Sequence, residues 1–339
     1  MRRQGSALLA LALLAAAPAP RIGVEMPAAG DDGARGLAAV TAVRLALGTD
    51  RLVVRDSARG GALNPHQDEG SDNDVDLRTA PALIAAFAAD PSVVAALGGL
   101  RRNVGDADAA AADAYGLPTI VLARWSRGAR GANAFCLCVS PPRLVAFARG
   151  TARRRFGSRV LLVLIGAAST LPAAWPDRFG AVAISVLDSA PATLAVARRR
   201  ALDADAVLVL ADERPPALWR AAAFRRAFDC AYLRDLEHRD FQLAAAGTRR
   251  GDELVLSEEL PAGPARDAFA RRFHAVAGYA PDDDALRAYA AAQIVRSAGS
   301  SREQARRALA ERRFVTAAGL VSFDGDGYWG NVVLLAAEV

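Results

Sequence analysis

The sequence predicts an α/β chain built from two doubly wound, Rossmann-like units. Three observations carry that prediction. Short apolar runs closed by Gly, Pro or Asp alternate with Ala-rich helical stretches along most of the 339 residues. One stretch, residues 93–125 (VVAALGGLRRNVGDADAAAADAYGLPTIVLARW), reads as strand, glycine turn, helix, strand. The alternation starts afresh after Val139 and reverts after Asp252, so two βα series share one chain.

Residues 93–97 are apolar throughout and end at Gly98-Gly99, the pattern of a strand buried on both faces. Residues 106–115 are Ala-rich and acidic at the start, Gly116 ends that helix, and Pro118 follows where a helix cannot continue. Residues 119–122 are β-branched and apolar again. The turn over 98–104 thus lies between the carboxyl end of a strand and the amino end of a helix. Ligands of open α/β sheets bind at such places, because backbone N–H groups and the helix dipole face the crevice.

Upstream, residues 21–26 (RIGVEM) form a buried strand, and residues 37–47 a helix. The glycines between them, Gly30, Gly33 and Gly36, follow G-x-x-G-x-x-G rather than the dinucleotide spacing, and Asp31-Asp32 would repel a pyrophosphate. Residues 51–55 are a second strand ending at Asp56. Residues 57–77 read as a solvated loop. Asp72, Asp74 and Asp76 have the first spacings of a calcium loop, but Leu77 and Leu83 stand where Gly and Glu are required, so no metal is expected. Residues 81–89 form a helix.

Downstream, residues 134–139 form a strand, and a helix runs from Pro141-Pro142 to about residue 156. Strands follow at 160–165, 181–187 and 206–210, with helices at 193–202 and 217–228. A strand at 253–257 precedes helices at 265–276, 283–297 and 302–312. Residues 319–339 are β-rich, with turns at Asp324-Gly325 and Asp326-Gly327.

A hydrophobic content of 53% supplies two sizeable cores, and the net charge of +5 is modest for this length. Every basic residue is Arg. The Arg clusters at 153–155, 198–200, 225–226 and 271–272 lie on helix faces or ends, and no aromatic residues interleave with them, so nucleic acid is not an expected partner. His66, His238 and His274 stand in unrelated settings, and neither a G-x-S-x-G elbow nor an H-E-x-x-H helix is present. On these motifs the sequence does not predict an enzyme, and no cofactor is expected.

Residues 1–20 read as a signal peptide. Arg2-Arg3 is a basic start, residues 7–17 are an apolar stretch too short to span a bilayer, and small residues follow. Cleavage is expected between Pro18 and Ile22, giving an exported, periplasmic chain. Cys136, Cys138 and Cys230 are read as buried small hydrophobes, or as one bridge from Cys230 to either of the others, since a same-strand pair would be strained.

Several segments, taken in order, resemble the type 1 periplasmic-binding-protein fold, and within it the leucine/isoleucine/valine-binding group of ABC-transporter solute receptors. They are RIGVEMP, Asp56 after the second strand, VVAALGG with Gly116 to Pro118 beyond it, DADAVLVLAD at 203–212, FARRFHAVAGYAPDDDALRAYAAAQIV at 269–295 and AAGLVSFDGDG at 317–327. The resemblance implies two lobes joined by three crossover segments, near 136–142, 252–258 and 319–322. Residues 21–138 plus 252–318 would form lobe one, and residues 139–251 plus 319–339 lobe two. A small-molecule ligand would bind between them, and a monomer would deliver it to an ABC permease in the inner membrane.

The resemblance also marks candidate ligand-binding residues. Where amino-acid binders of this group place a Ser for the ligand carboxylate, this chain has Arg102, flanked by Arg101 and Asn103. Trp125 stands where the group has a small hydroxyl residue, Asp235, with Glu237 nearby, near the acid that meets the ligand ammonium, and Asp212 near an aromatic position. The segment 166–180 carries Pro172 and Pro176 and lacks the usual Tyr-Gly pair. On the residues alone, Arg101-Arg102 is either an anion-holding pair or a solvent-facing turn, and Trp125 either an apolar wall or lobe packing. The implied function is solute binding for an importer, with a small anionic or amino-acid-like solute as the implied ligand; the alternative is a diverged sensor or accessory domain with no transport role.

Overall fold

A computed structural model describes residues 19–30, 32–58, 71–123, 132–166, 182–185, 199, 203–211, 243–247 and 253–338. Among them are two larger sheets, one of five strands and one of six.

The first sheet is parallel throughout. Its strands are β1 (Arg21–Met26), β2 (Leu52–Asp56), β3 (Val93–Gly98), β4 (Thr119–Val121) and β5 (Ala134–Cys136). The helices between them are α1 (Gly33–Leu47), α2 (Ser71–Ala89) and α3 (Arg102–Tyr115). Period-2 alternation in β1 decides its faces. Ile22, Val24 and Met26 join the core with α1, while Gly23 lies against Phe87 of α2, where a Cβ would come within 2.6 Å of the ring. Burial on both faces explains the continuous apolar run of β3. β2 and β3 leave β1 on opposite sides, so the strand order reverses there. The crevice outside the carboxyl ends of β1 and β3 is the topological switch point, where ligands of such sheets bind.

After α4 (Pro141–Phe156) comes the second sheet: β6 (Val160–Gly166), β7 (Val182–Ser185), β8 (Ala206–Ala211), β9 (Leu243–Gly247), β10 (Glu253–Glu259) and, at the far end of the chain, β13 (Val333–Glu338). It is parallel across β7-β6-β8 but antiparallel from β8 through β9 and β10 to β13. The second unit is therefore mixed rather than wholly doubly wound; the short link from β9 to β10 suits an antiparallel pair and is too short for a parallel crossover.

The chain then returns to the first sheet's side. α5 (Pro264–Ala277), α6 (Asp283–Ala298) and α7 (Arg302–Glu311) follow, then the hairpin of β11 (Arg313–Thr316) and β12 (Gly319–Ser322). α6 starts sharply because the Asp282 carboxylate accepts from the Ala285 N–H at 2.7 Å. It is buried nearly all round and packs beside α1, and both helices supply small residues to the shared core, among them Ala288, Ala291 and Ala292 on one and Ala38, Ala39 and Ala42 on the other.

Several boundaries differ from expectation. α2 begins at Ser71, so Asp72, Asp74 and Asp76 lie on a helix, where acids near the amino end are favoured, and not in a loop able to encircle calcium. α3 begins at Arg102, four residues before Asp106. Residues 253–259 bond to β9 and β13 in the second sheet, so the expected return at 252 is displaced to beyond Glu259. Gly319–Ser322 pairs with β11 instead of crossing between units. The expected helices at 193–202 and 217–228 lie outside the described residues except for Arg199.

Two crossing segments run side by side. Cys136 N–H donates to Gly327 O at 2.8 Å and Trp329 N–H to Cys138 O at 3.0 Å. Arg143 of α4 donates to the carbonyls of Trp329, Gly330 and Val332, and the buried Arg287 of α6 donates to Leu137 O. Cys136 and Cys138 are joined in a disulfide, with Cα atoms 5.2 Å apart. This corrects both expectations for these two residues, buried free thiols and a bridge to Cys230: β5 ends at Cys136, and the bend over 137–138 brings the two Cα atoms within ordinary disulfide reach.

Candidate functional site

The crevice at the carboxyl edge of the first sheet is built from the chain leaving β1, β2 and β3. Asp56, at the end of β2, ties the chain leaving β1 to the chain leaving β2 by accepting from the N–H groups of Ala28 and Ala58. The β3–α3 turn owes its tightness to glycine. Gly99 has φ +67°, and a Cβ there would lie 2.6 Å from Gly105 Cα. Gly105 in turn sits against Val121, so the first turn of α3 presses directly onto the strand ends.

That turn is surrounded by charge. Arg101 is buried and its Nε pairs with Asp32, the residue preceding α1. Asp32 also meets Arg35 Nη1 at 3.1 Å, and Arg35 reaches Asp284 of α6 at 2.7 Å. Asp284, Arg35, Asp32 and Arg101 thus form a chain of alternating sign that ties α6, α1 and the β3–α3 turn together. Asp32, read from sequence as a repellent to anions, is instead half of an ion pair.

Beneath the same turn lie two buried carboxyls, Glu25 at the end of β1 and Asp108 in the second turn of α3. Gly99 N–H donates to Glu25 Oε2 at 2.9 Å. Burial pushes the Asp108 carboxyl well above the usual carboxylate range, and the charge and hydrogen bond of Glu25 raise it further. Sequence reasoning did not single out either residue; an acid near the end of the buried RIGVEM strand, at a position otherwise surrounded by apolar residues, was the available signal.

Of the expected site residues, Arg101, Arg102 and Asn103 are brought to this turn. Arg101 lies in the ion pair, neither solvent-facing nor left to a ligand alone. Arg102 and Asn103 open α3 at its amino end. Trp125, Asp212 and Asp235 lie outside the described residues. Among the described residues no group of three or more His, Cys, Asp or Glu could hold a metal ion, and no helix is long and apolar enough to cross a membrane. A pocket lined by Gly116, Asn133, Arg302 and Arg306 opens at the opposite, amino edge of the sheet. Its Arg302 already donates to the carbonyls of Ala88, Asp90 and Val93, and Arg306 is paired with Glu303.

The fold belongs to a recognisable class, that of the type 1 periplasmic binding proteins, as the sequence motifs implied. Solved structures of that class superpose along nearly the whole chain. The leucine-binding protein LivK of Thermotoga maritima does so with TM-score 0.61 and 17% identity, over 94% of this chain and 95% of that one. The branched-chain amino acid transporter substrate-binding protein LivJ of Streptococcus pneumoniae, in complex with isoleucine, gives 0.58 and 15%, over 95% and 100%. An ABC-transporter solute-binding protein of R. palustris, in complex with benzoate, gives 0.56 and 16%, over 94% and 92%. No protein-family model and no curated protein matches the chain.

Proposed function

We propose that this chain is an exported solute-binding protein of an ABC importer, taking a small ligand between two lobes at the carboxyl edge of the first sheet. The observation that carries the reading is the two-sheet architecture with adjoining crossing segments, a likeness of fold that extends over 94% of the chain to solute receptors. Lobe one would hold the first sheet with α5 to α7, lobe two the second sheet, and the paired segments at 136–139 and 327–330 would act as the hinge on which the lobes close. Binding, rather than catalysis, is the role this arrangement supports.

The ligand reading rests on the β3–α3 turn. Glu25 accepts from Gly99 N–H and Asp32 meets Arg101, so recognition of a ligand anion falls to Arg102 and to the amino end of α3, where guanidinium and helix dipole act together. Trp125, Asp212 and Asp235 would complete the pocket from the remaining loops. The ligand on this reading carries a carboxylate or comparable anion larger or more displaced than an α-carboxylate, because Arg reaches further than the Ser it replaces. Arg102→Ala should weaken binding of the ligand that the native protein retains by about 1.5–3 kcal/mol, with thermal stability little changed. Calorimetric titration measures this; unchanged affinity would remove Arg102 from the site. The diverged pocket positions keep a second reading open, a sensor domain without a permease, and permease and ATPase genes beside its own would decide against it.

A further inference from the structure

Glu25 and Asp108 come from separate elements, yet the fold forces their carboxyls together. Glu25 projects from the α2/α3 face of β1, and Asp108 is one turn beyond Gly105, the residue whose missing side chain lets α3 approach the strands. Gly98 completes the contact: a Cβ there would lie 2.5 Å from Glu25 Oε2 and 3.0 Å from Asp108 Oδ2. Both acids are buried, at 1% and 0% exposure. Among the described residues no N–H or O–H other than their own proton reaches Glu25 Oε1 or either oxygen of Asp108. Two buried carboxylates that both crowd the same Gly98 position cannot both stay ionised, whereas one proton between them satisfies both.

We propose that Glu25 and Asp108 form a one-proton site, and that this proton holds the Gly98–Gly99 turn against the start of α3. The proton sits on Asp108, whose O–H donates to Glu25, while Glu25 Oε2 accepts from Gly99 N–H. Proton, carboxylate and turn amide are thus one hydrogen-bonded chain running up to the crevice edge.

Among the described residues, the surrounding charges are engaged elsewhere. Arg101, on the turn, is paired with Asp32. Arg55 of β2, in register with Glu25, turns to Val54 O at the surface. α2 carries Arg78, exposed, and Asp72, Asp74 and Asp76 toward its start. On α3 itself Asp106 is half-buried and Asp113 accepts from Asn133 N–H. β4 presents no ionisable group, and on β5 Cys136 is in its disulfide. Among the described residues, the charge that raises Asp108 is that of Glu25.

Loss of the proton on alkaline titration leaves two facing negative charges. The yielding part is the side-chain-free pair Gly98-Gly99, which carries Arg101 and Arg102 with it. The folded state holds the proton to higher pH than the unfolded chain, so folding stability falls as pH rises from the ordinary carboxyl range through the raised titration of the pair. Only the consequence for ligand capture rests on placing the ligand at this turn; the proton site itself does not.

The test is NMR of the ligand-free full chain with 13C-labelled Asp side chains and 15N-labelled Gly. The Asp108 carboxyl carbon and the Gly99 amide should titrate together, with one midpoint well above the ordinary Asp value of about 4. In Asp108→Asn the Gly99 amide should stay flat across that range, and the fall of the thermal midpoint with rising pH should flatten. In Glu25→Gln the Asp108 midpoint should drop, which serves if Asp108→Asn does not fold. An Asp108 carbon titrating near 4, a Gly99 amide indifferent to it, or an unaltered pH–stability profile in a folded Asp108→Asn would each overturn the proposal.

Discussion

Arg101 illustrates what a local reading of a residue can and cannot reach. Beside Arg102 in a turn, it has the sequence context of an anion ligand or of a solvated charge, and it is neither. Its partner, Asp32, comes from the loop after β1 and becomes a neighbour only when α1 and α3 dock on opposite faces of one sheet. The same holds for Glu25 and Asp108, whose contact no spacing in the sequence encodes. Removing one member of a buried pair leaves the other charge uncompensated. Arg101→Ala should therefore cost about 3 kcal/mol in urea denaturation, the low end of the range for buried pairs because Asp32 keeps Arg35. Arg102→Ala should cost little stability and mostly affinity, so the two adjacent arginines separate by phenotype.

At the scale of elements, much of the βα alternation among the described residues was legible. β1, β3 and α4 to α7 fall where periodicity and caps put them, because strand burial and capping are written in contiguous residues. What was not legible depends on contacts between elements. α3 starts early because Gly99 and Gly105 let it press onto the strands, and β9, with the sequence LAAAG, is a strand only because β8 and β10 flank it. The glycine contacts make a graded prediction. Gly99→Ala meets both a left-handed φ and the Gly105 backbone, and should destabilise the protein by about 2 kcal/mol or more. Gly30 has φ +73° but open space around it, and Gly30→Ala should cost about 1 kcal/mol. Equal effects in chemical denaturation would refute the role given to the close approach.

For the whole molecule, the alternation of two βα series carried the two-unit architecture, while the strand pairing that displaced the 252 boundary was set by partners far along the chain. The crossing segments at 136–139 and 327–330 are fastened by backbone hydrogen bonds and by Arg143, and the first of them carries the Cys136–Cys138 bridge. Non-reducing peptide mapping should find that linkage within one short peptide and Cys230 outside it; a Cys230 bridge would contradict the structure. The central claim is that the chain captures a small molecule between its units. Native mass spectrometry of the protein isolated from its own host measures this most directly. The account predicts a one-to-one, non-covalent small-molecule adduct that is released on denaturation and diminished in Arg102→Ala. A bare chain mass under every non-denaturing condition, with no adduct recovered from the native host, would contradict it.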